Sequence, residues 1–220
     1  MSETRSNRSG ADETREALVR AGLTLFGRDG FAATSTRAIA AMAGANVASI
    51  AYHFGGKEGL RQACAEAVAS RISHVAGAAA QFDPNGDPQR AHAFLEGVID
   101  RFIDQIIANP EGRSLSSFIL REIGEQGAVF DVLLNRFIAP VHSGLCRVFA
   151  AAAGSDPASA DTRLAVFALA GQLLYFRIGQ PVVLARMGWE TIGRAEREQL
   201  ARTVKANLAG MIAARRERAP

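Results

Sequence analysis

An all-α fold is predicted by three features of this 220-residue chain. Large apolar residues recur at three- and four-residue steps in one segment after another. No stretch alternates with the period of two that marks a strand. Pro and Gly punctuate the sequence at intervals that suit helix ends and loops. With 48% hydrophobic residues, the chain can bury a large core. No apolar run reaches the length of a membrane span, and the first dozen residues are polar, without the apolar centre of a signal peptide, so a cytoplasmic protein is expected. The two cysteines, Cys64 and Cys146, lie within helical patterns and make no metal-binding spacing; reduced packing thiols are expected.

Taken in order, residues 1–11 are expected to be disordered, and a first helix covers 13–28, with Leu18, Gly22, Leu25 and Phe26 on one stripe, Asp12 as cap and Gly30 as stop. Two short helices follow within 34–54. A long helix covers 57–77, its stripe being Leu60, Cys64, Val68, Ile72 and Val75. Residues 83–88, rich in Asp, Pro and Gly, read as a loop. Beyond it, helices are expected over 88–108, 112–122, 127–153 (bent before Pro140, which lacks an amide donor), 158–178, 182–187 and 196–215. The last carries Leu200, Val204, Leu208, Met211 and Ile212 on one side.

The segment 34–60 carries the functional reading. Ser35 or Thr36 can cap a helix bearing Ile39, Ala40 and Ala43, Gly44 supplies a tight turn, and Asn46 caps the next helix. That second helix has little more than two turns and few large apolar residues, namely Val47, Ile50 and Phe54, so neighbours must hold it while its other face does something else. A helix-turn-helix entering the DNA major groove meets that description. Val47, Ile50 and Phe54 then pack inward, and Ala48, Ser49, Tyr52 and His53 lie outward or at the flank. Tyr52 and Lys57 are phosphate donors by chemistry, Lys57 opening a helix whose N-terminus already favours an anion. Thr36 and Arg37 are placed for phosphate or base contact, and Ala48 can meet a thymine methyl. The plainer alternative makes Tyr52 a cover for the core and Lys57 a solvated charge. A net charge of +3 decides neither way, because only a local basic stripe is needed.

Residues 13–61 resemble the DNA-binding domain of TetR-type transcriptional repressors. The resemblance rests on Phe26-Gly27-Arg28-Asp29-Gly30-Phe31, Thr34-Ser-Thr-Arg-Ala-Ile39, Ala43-Gly44, Tyr52-His53-Phe54 and Lys57-Glu58-Gly59-Leu60, in that order and at the family's spacing. Asn46 and Ala48 stand where the family usually has Ser or Thr and Gly. The resemblance implies a three-helix DNA-binding domain over 12–58 and a larger helical domain over 59–218 that binds a small molecule. It also implies that Tyr52, His53 and Lys57 touch phosphates. Thr36, Arg37, Asn46, Ala48, Ser49, Tyr52, His53 and Lys57 are therefore the DNA-binding candidates. The resemblance to a subgroup with its own helical C-terminal domain, carried by Arg121-Glu122, Pro140 and Gln172 with Tyr175-Phe176-Arg177, is looser.

One reading unit covers few base pairs, so a homodimer on a palindromic operator is expected. The helix over 158–178 is apolar nearly all round and must be buried on both faces. Leu164, Phe167, Ala168, Gly171 and Tyr175, joined by Leu208 and Met211 of the last helix, are the dimer candidates, forming an intersubunit four-helix bundle. A fully internal helix in a monomer is the alternative. For the effector, Phe102, Phe118, Arg121, Phe137, His142, Gln172 and Phe176 are candidates, a mostly apolar set with a few polar groups. Aromatics at helical spacing can equally be plain core.

No Gly-rich phosphate loop follows a strand, no cluster has metal spacing, and no nucleophile motif is present. No catalytic residue, metal or cofactor is expected, and the chain is not read as an enzyme. The function expected is a repressor released by an unknown small-molecule effector. The alternatives are an all-helical interaction protein, or an activator without an effector.

Overall fold

The structure, a computed structural model, describes residues 3–82 and 86–217. Residues 83–85 of the expected loop and the side chains of Ile72 and Val75 lie outside the described part. Among the described residues there is no strand. The helices are α1 (Glu3–Asp29), α2 (Thr36–Ala43), α3 (Ala48–Phe54), α4 (Lys57–Gln81), α5 (Pro88–Phe102), α6 (Pro110–Glu125), α7 (Ala128–Leu133), α8 (Ala139–Ala153), α9 (Ala160–Ile178), α10 (Gln180–Met187) and α11 (Arg194–Arg216). Single π-helical turns, Ile103–Ile107 and Leu134–Ile138, continue α5 and α7. The second lies just before Pro140, where the missing amide breaks the regular ladder. Helix α1 begins well before Asp12, over a stretch expected to be disordered. Its Glu, Arg and Ala content suits a helix, and no cap at Asp12 interrupts it.

The chain forms two compact units. The first holds the chain up to Arg71 together with Ser114–Arg136; the second holds Ile72–Arg113 and the chain from Phe137. The first unit is thus wider than the 12–58 segment expected. Its centre is α1, whose Leu18, Val19, Leu23, Leu25 and Phe26 are all buried. Apolar residues buried all round a helix require neighbours on more than one side. Helices α2 and α3 supply one side with Ile39, Ala40 and Ile50. Leu60 and Cys64 of α4 lie against Gly22, and Phe118 and Ser114 of α6 lie against Gly27 so closely that any side chain at 27 would push the α6 backbone. That contact draws α6 into the first unit.

In the second unit α5, α8, α9 and α11 pack as a bundle around Leu95, Ile99, Phe149, Val166, Leu169, Val204 and Leu208. Asp87 caps α5 through the Gln89 amide, which donates to its carboxylate at 2.8 Å, and Ser159 caps α9 through the Thr162 amide at 3.2 Å. No single helix is long and apolar enough to cross a membrane.

Cys64 and Cys146 are free and buried. Burial pushes both thiols above the usual range, and the Glu122 charge adds to this at Cys64. Near pH 8 both stay protonated, so the native protein is expected to react with a thiol-specific disulfide reagent far more slowly than the denatured protein, which should titrate two thiols. Prompt modification of either thiol in the native state would contradict the packing described.

Candidate nucleic-acid interface

The loop between α1 and α2 is fixed by Thr34, buried, whose hydroxyl donates to the Gly30 carbonyl at 2.7 Å. Ser35 then caps α2, accepting from the Ala38 amide at 3.1 Å. This places Thr36 and the exposed Arg37 in the first turn of α2. Gly44 ends the helix at φ 64°, a left-handed conformation natural to glycine, and the Ala45 amide closes the turn by donating to the Ala40 carbonyl at 2.9 Å. Asn46 acts as expected: its side-chain oxygen accepts from the Ala48 amide at 2.9 Å and starts α3.

Helix α3 is anchored by Ile50, which is 1% exposed, with Phe54 half-buried below it. Ala48 is exposed, Ser49 and His53 are half-buried, and Tyr52 is 83% exposed, its ring edge-on to His53 at 4.9 Å. Val47 departs from its expected inward place. It precedes the helix and is 42% exposed, because one anchoring residue suffices for so short an element. Lys57 opens α4 one turn beyond α3, with its ammonium 4.3 Å from the centre of the Phe31 ring. A Cβ on Gly59 would overlap the Phe54 carbonyl oxygen, so glycine lets the start of α4 seat tightly against the end of α3. The eight DNA-binding candidates thus lie in the first turn of α2, before and along α3, and at the start of α4.

What braces this surface comes from a distant part of the sequence. Arg61, one turn after Lys57, lies over the same Phe31 ring at 4.6 Å and forms two parallel bonds, each 2.7 Å, to the carboxylate of Glu122 on α6. It also contacts Glu125. Burial works against the Arg61 charge, but the hydrogen bonds and charge of Glu122 outweigh it and hold the guanidinium above its ordinary range. The one available clue was Glu122 on the stripe Leu115, Phe118, Ile119, a charge where the pattern calls for an apolar residue.

The effector candidates are divided between the two units. Phe118 is fully buried in the first unit, and Arg121 donates to the Gly27 and Arg28 carbonyls there, at 3.4 and 3.0 Å, capping α1. Both are engaged in packing within the first unit. The other five belong to the second unit. Phe102 and Phe176 lie half-buried against its core, and Phe137 is half-buried. His142 stacks on Phe167 with ring centres 3.9 Å apart, and Gln172 accepts from the Asn207 amide group at 2.7 Å. Among the described residues the two best-formed hollows are a groove by Arg20, Thr24 and Met42 in the first unit and one by Asp100, Asp104 and Arg197 in the second. None of the seven candidates lines either.

The dimer candidates divide along similar lines. On α9, Leu164, Phe167, Ala168, Gly171 and Tyr175 are all exposed on one face. Leu208 of α11 is 0% exposed and packs into its own core, which leaves it no free surface, and Met211 is half-buried against that core. An amphipathic stripe serves the nearest core first, and that core is the subunit's own.

Comparison with known proteins adds the following. The model of the family described as bacterial regulatory proteins, tetR family, matches residues 18–64, and that of the C-terminal domain of the HTH-type transcriptional dual regulator CecR matches residues 91–215. The chain is 33% identical over 208 residues to the HTH-type transcriptional dual regulator CecR of Shigella flexneri, covering 90% of each chain. Among solved structures, it is similar to a TetR transcription regulator from Haloarcula marismortui, with TM-score 0.61, 15% identity and coverage of 93% of this chain and 98% of that one. It is also similar to a TetR-like transcriptional regulator from Rhodococcus sp. RHA1, with TM-score 0.59, 19% identity and coverage of 91% and 96%.

Proposed function

The chain belongs to the TetR family of bacterial regulatory proteins, DNA-binding regulators of transcription rather than enzymes, and from that premise we propose that it is a cytoplasmic repressor. It binds a palindromic operator as a homodimer and is released by a small-molecule effector. The observation that carries the reading is α3 itself, capped by Asn46, anchored by buried Ile50 and presenting Tyr52 to solvent between Arg37 and Lys57. Two copies, one per half-site, supply the affinity that one short helix lacks. The effector acts through the second unit, where Phe102 and Phe176 are half-buried. An effector that prefers one dimer shape changes DNA affinity by the same coupling free energy.

The test is a footprint on the DNA flanking the gene, at two salt concentrations. Lys57→Ala and Tyr52→Ala are each expected to weaken operator binding by about tenfold, a phosphate contact being lost in each case. Both should leave the circular dichroism unchanged, since neither residue is buried. Lys57→Ala should also lower the salt slope by about one. Wild-type affinity in both variants would place the DNA-binding surface elsewhere. A second reading, activation at some promoters, draws on the printed name of the Shigella flexneri relative, a dual regulator. Reporter fusions that rise on deletion of the gene support repression, and fusions that fall support activation.

A further inference from the structure

The outward face of the reading helix has an unusual make-up. The exposed side chains at its start and along it are Val47, Ala48, Ala51 and Tyr52. At about 100° per residue Ala48, Ala51 and Tyr52 fall within an arc of roughly 100° directed away from Ile50, and Val47, about 60° from Ile50, stands at the edge of that arc. Three of the four are aliphatic, and the fourth offers a single phenol hydroxyl. Reading guanine in the major groove takes Arg or Lys, reading adenine takes Asn or Gln, and reading cytosine takes a carboxylate. None of those groups stands on this face. Asn46, just before it, already uses its side-chain oxygen to accept from the Ala48 amide at 2.9 Å. Thymine is the one base that presents a methyl group in the major groove, and it is the partner of aliphatic side chains there. The exposure of Val47, at 42%, gives the face its largest aliphatic group, at the end of the helix that enters the groove first.

We infer that this helix reads its operator chiefly through thymine methyl groups, with Val47, Ala48 and Ala51 as the specificity-determining contacts. Hydrogen-bonded readout falls to Arg37 and Thr36 on the preceding helix. The inference rests on the operator-binding reading above and assigns the chemistry of the half-site, with thymines clustered where α3 lies and the guanine contacts offset toward the start of α2.

The experiment begins with selection of the preferred duplex from a random pool by the purified full-length protein. Each thymine in the selected half-site is then replaced singly by deoxyuridine, which removes the C5 methyl and leaves base pairing intact. At two or more positions affinity should fall about fourfold per methyl. At one of those positions the loss should disappear in Val47→Ala, whose exposed site makes misfolding an unsuitable explanation. The inference is overturned if every uridine-substituted duplex binds as tightly as its parent while Lys57→Ala still weakens binding; the operator reading then survives alone. Failure to select any duplex overturns both.

Discussion

Glu122→Ala is expected to destabilise the protein by about 3–5 kcal/mol, the cost of removing one partner from a buried ion pair. Glu122 is 2% exposed and accepts both of its 2.7 Å bonds from Arg61, whose side chain is 16% exposed. Without the carboxylate, the guanidinium stays beneath α6 with the Phe31 ring and the more exposed Glu125 as its remaining partners. Glu125 softens the loss, which places the expected value near the lower end of the range. For a chain of this length the unfolding midpoint should drop by roughly 6–12 °C. Two controls separate the pair from mere packing. Glu125→Ala, at the solvent-facing edge, should cost less than about 1 kcal/mol. Replacing Arg61 and Glu122 together by Met should recover most of the loss, since a buried pair is worth little against apolar residues of similar size. Thermal unfolding followed by circular dichroism decides it; an unchanged midpoint in Glu122→Ala would mean that the carboxylate is not buried against Arg61.

The same pair explains why part of the interface escaped the sequence. Much that depends on neighbours a few residues apart was legible: the Ser35 and Asn46 caps, the Gly44 turn, the Ile50 anchor and the exposed Tyr52. Such features are set by local hydrogen bonding and by the helical period. Arg61 and Glu122 stand 61 residues apart, and no local rule joins them. Arg121 and Phe118 were placed near a ligand because their chemistry suits one. The close seat of α6 on Gly27 instead gives them to α1. Val47 was misplaced for the opposite reason: hydropathy calls for burial, but a seven-residue helix offers room inside for little more than Ile50.

On α9 the apolar surplus leaves one face exposed, whereas on α11 the most apolar stripe packs into the subunit's own core. Leu164, Phe167, Ala168, Gly171, Tyr175 and Ile178 fall within an arc of roughly 100° at the helical period, and the four large ones are each more than half exposed. An apolar stripe of this size rarely stays open to water. Helix α11 meets α9 where Asn207 bonds Gln172, and the exposed residues in register with Asn207 are Thr203, Gly210 and Ala214. Small residues let helix backbones approach closely but carry no hydropathy signal, so a surface on α11 open to the proposed partner reads as unremarkable sequence.

If the proposed homodimer forms through this face, Phe167→Asp should convert it to a monomer in sedimentation experiments at micromolar concentration. Phe167 is 54% exposed within the subunit and stacks on His142, so the monomer should keep its helical signal. In the proposed dimer the carboxylate would sit among Leu164, Ala168 and Gly171, its nearest cation being Arg163 one turn before it at the edge of the stripe, so that a charge is drawn into an apolar contact. Gly171→Leu tests the same face without charge. A Cβ there meets nothing within 4 Å in the subunit, so any loss of association comes from the partner. Each single-headed monomer forfeits the gain from linking two half-site contacts, so affinity for the full operator should fall by about 10²–10⁴, while the contribution of one isolated half-site changes little. That split is the decisive readout. A variant that stays dimeric, or one that loses half-site binding in parallel with the full operator, would move the dimer contact away from α9.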